Sequence, residues 1–365
     1  MTVTDASDAF ATTPSVAPRS EPTAPTTAGA PVSCEELSFA SADGASTIHA
    51  RIWWPADPAA RTAPRGVVQL VHGMSEHVGR YDAFARFLAE RGFVVAADDH
   101  IGHGASAAPE RRGVLPAHGG ADALVADEHQ LRGLLATRVA EGTPYVFFGH
   151  SMGSFITRAY LAEHGDGVAA AVICGTGTVP ALTSHAANLL ARLLSAVRGE
   201  DFRSKLIDSM GVGAYARQVD SDDDLAWLSV NPDNVAAYRA DEACGFMFSV
   251  GGYATLTELT ARACSLACAQ AVPHNLPLLF VSGEEDPVGD MGAGVRKAAE
   301  LAHQGGSRDV TVRLYKGMRH EILNERNGRR VMEDVLAWIE QHLPEAASAP
   351  GTTTAEGSPA CSQAI

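Results

Sequence analysis

Short apolar runs alternate along most of the chain with stretches in which apolar residues recur every three or four positions. The first pattern is typical of buried strands and the second of helices that pack on one face. Strands are predicted at 36–39, 48–54, 67–71, 93–97, 145–148, 169–174, 278–282 and 310–315. Helices are predicted at 81–90, at 122–140 with Leu134 facing inward, from about Met152, and at 328–342.

This alternation predicts an α/β fold with a mostly parallel central sheet and helices on both of its faces. The first two strands are an exception, because a short turn near Asp43 and Gly44 joins them as an antiparallel pair. Ligands of such sheets bind at the carboxyl ends of the strands, so functional side chains are expected there.

Residues 176–275 interrupt the alternation and are predicted to form a mostly helical insertion between two sheet strands. Helices are expected within 183–197, 225–230, 235–238 and 253–268. The first has an apolar stripe of Ala187, Leu190, Leu193, Leu194 and Val197. One interpretation is a cap whose inner apolar face lines a substrate pocket, and the alternative is a set of helices that simply pack on the core. The catalytic core is then 34–175 together with 276–343.

Both ends of the chain differ in composition from the middle. Residues 1–33 are rich in Thr, Ala and Pro, and residues 344–365 in Ala, Ser, Thr and Gly, so both are predicted to be disordered tails. The first tail lacks the basic and apolar regions of a signal peptide, and no apolar run is long enough to span a membrane. A cytoplasmic location is therefore expected.

Charge and cysteine content narrow the possible functions. The net charge of −15, from 28 basic and 43 acidic residues, argues against nucleic acid and against docking on anionic lipid. Neutral lipid and ester substrates stay compatible with it. The six cysteines include no C-x-x-C pair, and Cys264 and Cys268, one helical turn apart, are expected to be core thiols.

The strongest chemical signal is Gly149-His150-Ser151-Met152-Gly153, a G-x-S-x-G motif between a predicted strand and a predicted helix. This is the context of a nucleophile elbow, in which a tight turn exposes the serine and glycines leave room for close packing. The helix start directs unpaired N–H groups towards the same point. Ser151 is therefore the predicted nucleophile.

A serine hydroxyl needs a general base, and the base needs a group that orients it. In this fold the expected chain order is serine, acid, histidine. Asp286 follows the predicted strand 278–282, and His320 follows the strand 310–315. Glu284 and Glu285 are alternative acids, but Pro287 fixes a turn directly after Asp286 and favours it.

The oxyanion of an acyl-transfer reaction needs two donors. The loop after strand 67–71 and the start of the helix after Ser151 supply candidates, the backbone N–H groups of Met74 and Met152. His72 comes too early in the chain to be the base and is expected to shape the loop.

Several segments together resemble the α/β-hydrolase superfamily, in particular its monoacylglycerol lipase and lysophospholipase-like branch, which includes serine aminopeptidase S33-type domains. The resemblance spans about 35–343 and rests on the segments 72–81, 98–104, 149–153, 283–286 and 318–321. It implies ester hydrolysis through an acyl-enzyme, without a metal or an organic cofactor. Glu76 and Arg80 match positions near the polar end of the substrate in the lipase branch, and the alternative is an internal ion pair that fixes the loop.

Asp98, Asp99, His100 and His103 raise the question of a metal site. Their spacing fits no closed ligand set, and the matching segment of the family is a structural glycine turn, so no metal is predicted.

The sequence therefore predicts a serine hydrolase that cleaves carboxylic esters, and a monoacylglycerol or a lysophospholipid is the favoured substrate. A small-ester or aryl esterase, an amidase or peptidase, and a non-catalytic binding module are the alternatives. A monomer or homodimer is expected, with transient contact between the cap and a lipid surface as a possible partner interaction.

Overall fold

Eight strands form one continuous sheet in the computed structural model, which describes residues 31–343. In chain order they are β1 (Ser33–Ala40), β2 (Thr47–Trp54), β3 (Val67–Val71), β4 (Val94–Asp99), β5 (Tyr145–His150), β6 (Ala170–Cys174), β7 (Leu278–Gly283) and β8 (Val310–Tyr315). Each run predicted as a strand is a strand, with bounds that shift by at most a few residues. The two predicted tails lie outside the described residues, except for 31–33, where β1 begins.

The sheet has the order β1-β2-β4-β3-β5-β6-β7-β8. β2 is antiparallel to both of its neighbours, and every pairing from β4 to β8 is parallel. Strands β3 to β7 are buried along their whole length, as expected for parallel strands covered on both faces. The carboxyl ends of β3, β5, β7 and β8 therefore meet at one edge of the sheet.

Twelve α-helices pack around this sheet within residues 31–343. They are α1 (Pro58–Thr62), α2 (Asp82–Ala89), α3 (Gly120–Ala136), α4 (Met152–His164), α5 (Ala181–Arg198), α6 (Lys205–Met210), α7 (Gly213–Ala216), α8 (Pro232–Ala240), α9 (Val250–Ala263), α10 (Leu266–Ala271), α11 (Ala293–Gly305) and α12 (Gly328–His342). Helices α3, α4, α9 and α11 contribute to the core on one face, and α2 and α12 to the core on the other. None of these helices combines the length and apolarity needed to cross a lipid bilayer.

Helices α5 to α10 all lie between β6 and β7, and residues 176–275 contain no strand. The predicted helix at 225–230 is wrong. Residues 224–228 instead form consecutive turns, which begin where the Asp223 carboxylate accepts the N–H of Leu225. The single helix predicted at 253–268 is two helices, because the Ser265 hydroxyl accepts the N–H of Cys268 and starts α10.

The predicted inward orientation of two helical faces is also wrong in part. Leu134 of α3 is 36% exposed, and the α5 side chains Leu193 and Val197 are 56% and 78% exposed. Helix α5 instead packs on α9 through its small and polar side, where Ala191 is fully buried and the Asn188 amide donates to the Ala254 carbonyl. Apolar periodicity identified α5 as a helix but gave the wrong side as the buried one.

Candidate active site

Ser151 lies on a sharp turn between β5 and α4. Its backbone angles, φ 54° and ψ −120°, fall in a region that residues other than glycine rarely occupy. The glycines on both sides allow this turn to sit close to its neighbours. A Cβ on Gly149 would lie 2.2 Å from Thr157 Oγ1, and one on Gly153 would lie 2.0 Å from the Val71 carbonyl oxygen. The local geometry is that of a nucleophile elbow.

Asp286 and His320 meet although 34 positions separate them in the chain. The His320 Nδ1 atom lies 3.1 Å and 3.0 Å from the two carboxylate oxygens of Asp286. The Ser282 hydroxyl and the Val288 N–H also donate to this fully buried carboxylate. Burial would raise the pKa of Asp286, but the charge and hydrogen bond of His320, with the Ser282 hydroxyl and the Val288 N–H, hold that pKa below its usual value.

The alternative acids do not take part in this arrangement. Glu284 and Glu285 are both exposed, in the turn that precedes Asp286. Among the hydrogen bonds of residues 31–343, neither carboxylate reaches His320. The turn that Pro287 fixes therefore buries Asp286 and leaves its two neighbours in solvent.

A cavity of about 460 Å³ opens beside Ser151 and His320, and both residues line it. Met74 and Met152 line it as well. Much of the remaining wall comes from apolar and aromatic side chains of the insertion and of α4, namely Phe155, Val179, Val212, Tyr215, Leu225, Trp227, Leu228, Tyr238, Phe246 and Leu256. The volume falls within the range of small-molecule sites, and its wall suits an apolar ligand.

The loop after β3 brings the Met74 N–H group to the cavity. Within residues 31–343 no protein acceptor takes the N–H of Met74 or of Met152, whereas the Gly73 N–H donates to Glu76 Oε1 at 2.6 Å. His72 holds this loop from inside. Its Nδ1 bonds the Gly73 carbonyl at 2.7 Å, and its Nε2 accepts the His100 N–H at 3.2 Å.

Glu76 and Arg80 form an internal ion pair, which was the alternative to substrate contact. Arg80 Nε lies 3.5 Å from Glu76 Oε2, and both side chains are less than a tenth exposed. The guanidinium also pairs with Glu321 and donates to Asn234, and it does not line the 460 Å³ cavity. Glu76 reaches the cavity wall, but its Oε1 is already occupied by the loop.

Comparison with known proteins identifies the family. The profile of the family described as serine aminopeptidase, S33, matches residues 62–327. The chain belongs to this family. A monoacylglycerol lipase of Mycolicibacterium smegmatis is 32% identical over 314 residues, which cover 84% of this chain and 98% of that protein.

Solved structures agree with this S33-family assignment. A thermostable carboxyl esterase from Bacillus coagulans, in complex with glycerol, is 31% identical and has a TM-score of 0.78 over 85% of this chain and 99% of that chain. A lipase in an open form is 29% identical, with a TM-score of 0.75 over the same shares. The predicted α/β-hydrolase fold, its monoacylglycerol lipase-like branch and the enzyme class, a carboxylic ester hydrolase, are confirmed.

The S33-family site contains one residue that the sequence argument did not use. His150, inside the G-x-S-x-G motif, bonds through Nδ1 to the Tyr81 hydroxyl at 2.8 Å and to Glu76 at 3.2 Å. Its Nε2 bonds the His320 carbonyl at 3.3 Å. His150 thus links three catalytic-edge loops of this hydrolase. The position of His150 next to Ser151 in the sequence indicates that it lies at the site. Its hydrogen-bond partners could not be predicted, because they come from distant segments of the chain.

Proposed function

We propose that this S33-family protein is a lipase that hydrolyses monoacylglycerols or lysophospholipids with a medium or long acyl chain. The observation that carries the proposal is the pairing of His320 with Asp286 at the wall of a largely apolar cavity that Ser151 also lines. Ser151, Asp286 and His320 are assigned as the catalytic residues, and the N–H groups of Met74 and Met152 as the oxyanion donors.

In the proposed reaction the Ser151 hydroxyl attacks the ester carbonyl while His320 takes its proton. Asp286, kept ionised by its hydrogen bonds, fixes the His320 tautomer and stabilises the imidazolium. The oxyanion accepts hydrogen bonds from Met74 and Met152, and His320 then protonates the leaving alcohol. Water, deprotonated by His320, attacks the acyl-enzyme and releases the fatty acid.

The apolar wall supports a long acyl chain, since burial of each methylene contributes about 0.8 kcal/mol. The names of the relatives support a glycerol-like head group, because one is a monoacylglycerol lipase and another was solved with glycerol. Glu76 lines the cavity and is the nearer candidate for contact with that head group. Arg80 is assigned the role of holding Glu76 and Glu321 in place.

Residues 176–275 are proposed to act as a cap over the core, 34–175 and 276–343, and to touch lipid with their outer surface. The cap carries exposed apolar side chains on α5 and α6, namely Leu182, Leu189, Leu190, Leu193, Val197, Leu206 and Met210. Exposed apolar side chains repeated along one helix, as on α5, are typical of an interaction surface. The net charge of −15 favours a neutral or zwitterionic lipid surface over an anionic one.

Vesicle co-sedimentation tests the cap surface. Wild-type protein is expected to sediment with phosphatidylcholine vesicles, and a Leu189→Ser/Leu193→Ser protein is expected to stay in the supernatant. Leu134→Ser, an exposed leucine of α3 outside the cap, is the matched control. Equal sedimentation of all three proteins would exclude this surface, whatever their activity on soluble esters.

Hydrolysis of p-nitrophenyl esters from acetyl to palmitoyl tests the reaction. We expect the rate to peak at a medium or long chain and to vanish in Ser151→Ala, with the fold intact by circular dichroism. A peak at acetyl would favour the small-ester or aryl esterase. Turnover that persists in Ser151→Ala would overturn the assignment of the nucleophile. The cytoplasmic location and the monomer or homodimer state stay predictions.

A further inference from the structure

Next to His72, at the base of the loop that carries Met74, three ionisable side chains converge in the protein interior, and none of them lines the cavity. Asp98 lies in β4, His100 follows that strand directly, and Glu128 comes from α3. Each side chain is about 1% exposed. His100 Nδ1 lies 3.5 Å from Asp98 Oδ2 and 3.5 Å from Glu128 Oε1.

The hydrogen bonds around this group fix which atoms face each other. His100 Nε2 lies 3.1 Å from the His72 carbonyl oxygen, which only accepts, so Nε2 carries the proton. A neutral ring in this orientation presents the Nδ1 lone pair to the two carboxylates. Within residues 31–343, both oxygens of Asp98 and the Oε1 atom of Glu128 have no hydrogen-bond partner.

Three side chains that can ligate a metal thus converge on one buried volume, and neither oxygen of Asp98 has a hydrogen-bond partner there among residues 31–343. Such an arrangement is costly, because a buried carboxylate needs a positive partner or hydrogen bonds. We propose that Asp98, His100 and Glu128 bind a divalent transition-metal ion, with Zn²⁺ as the first candidate. Two carboxylates and one neutral imidazole leave a divalent ion electrically neutral in the core.

The two separations from His100 Nδ1 suit a metal ion. Ligands about 2.0–2.2 Å from a tetrahedral zinc ion lie about 3.3–3.6 Å from one another, which matches the two separations of 3.5 Å. A hydrogen bond between charged groups would be shorter, about 2.7–2.9 Å.

The outer contacts of the group also resemble those of metal ligands. The free ring nitrogen of His100 donates to a backbone carbonyl, and the second oxygen of Glu128 accepts the Gln69 amide, whose own oxygen accepts the Tyr145 hydroxyl. Asp98 and His100 stand close together in the sequence, where no metal was predicted, and Glu128 comes from helix α3, 28 positions beyond His100.

The site would support the catalytic edge from within and would take no part in the chemistry. The backbone N–H of His100 donates to His72, and His72 in turn bonds the loop that carries Met74. The inference is therefore independent of the proposed substrate. It concerns stability and metal content, which are measured without turnover.

A second cluster in the molecule provides a control. His77, Asp241 and Cys244 also lie within reach of one ion. There, however, His77 Nε2 and Asp241 Oδ2 are already joined at 2.8 Å and are partly exposed, so no cation is needed. Substitution of Asp241 is expected to leave metal content unchanged.

The test is metal analysis of tag-free, full-length protein made with Zn²⁺ in the medium and then dialysed against EDTA. We expect about one zinc per chain in wild type and in Asp241→Asn, and less than about one tenth in Asp98→Asn and Glu128→Gln. If those two variants do not fold, wild type is unfolded with chelator and refolded with and without metal. Refolding with Zn²⁺ or Co²⁺ should then raise the Tm by at least about 3 °C, and Co²⁺ should give visible absorption bands.

The proposal would be overturned if wild-type protein retained no Zn²⁺, Mn²⁺ or Co²⁺ after such refolding and its Tm did not change. The three side chains would then be held together by shared protons. Zinc that is lost in Asp241→Asn but kept in Glu128→Gln would overturn it as well, because the ion would then lie at the other cluster.

Discussion

Replacement of Glu76 by Gln separates the two roles that the sequence left open for this residue. Burial alone would raise the pKa of Glu76, but the hydrogen bond and charge of His150 and the charge of Arg80 outweigh burial and lower it to about 2. The ordinary value is 4.5. At about 1.36 kcal/mol per pKa unit, the difference means that the ionised side chain stabilises the fold by about 3 kcal/mol.

The sign of the pH dependence follows from the lowered pKa. A carboxylate that is more acidic in the folded state contributes its full stability above the unfolded pKa, and the contribution is lost as the pH falls through the folded pKa. The advantage of wild type over Glu76→Gln should be about 3 kcal/mol at pH 7. It should begin to fall near pH 4.5 and be about halved near pH 3.

Urea unfolding of both proteins between pH 7 and pH 3, without substrate, measures this difference. Glu285→Gln removes an exposed carboxylate from the same catalytic edge and should change stability by less than about 0.5 kcal/mol. A loss below about 1 kcal/mol for Glu76→Gln, together with a raised KM, would refute the loop-fixing role and restore substrate contact as the main one.

The other predictions concern the acid and the elbow. Asp286→Asn should lower kcat by about 10³–10⁴, because the amide no longer holds the neighbouring imidazole in the right tautomer, whereas Glu284→Gln should leave steady-state rates unchanged. Equal losses in both would contradict the choice of acid. Gly153→Ala should prevent folding or cost several kcal/mol, since its Cβ would lie 2.0 Å from the Val71 carbonyl. Gly133→Ala should stabilise the folded protein by about 0.5–1 kcal/mol in thermal unfolding, because an added Cβ at this position of α3 meets no other atom within 4 Å. A lower stability of this variant would show that the position is not open.

The parts of the molecule that follow from local sequence were predicted well. Buried strands such as β5 and β7 are continuous apolar runs, and the position of a residue just after a strand fixes which edge of the sheet it occupies. These two signals predict that Asp286 and His320 lie at the same edge of the sheet, where the structure joins them by a hydrogen bond.

The parts that failed depend on which surfaces meet. Helix α5 has enough apolar residues on one side to predict burial there, yet its small side packs on α9 and its leucines face outward. Segment 225–230 has helical spacing, but the Asp223 carboxylate accepts the N–H of Leu225 and starts a series of turns instead. Glu128 carried no signal at all, because its contact with His100 exists only once α3 has packed on the sheet.

The insertion of about one hundred residues leaves the sheet at the carboxyl end of β6 and returns to it at the amino end of β7. The two strands are parallel, so Cys174, the last residue of β6, pairs with Val281, whereas Leu278, the first residue of β7, pairs with Ala171. The sheet thus fixes both attachment points about one strand length apart, and a connection between fixed points can change in length at little entropic cost. Asp286 and His320 come from strands that are set by the sheet and not by the insertion. We therefore expect the insertion to tolerate changes in length and sequence without displacing Asp286 and His320.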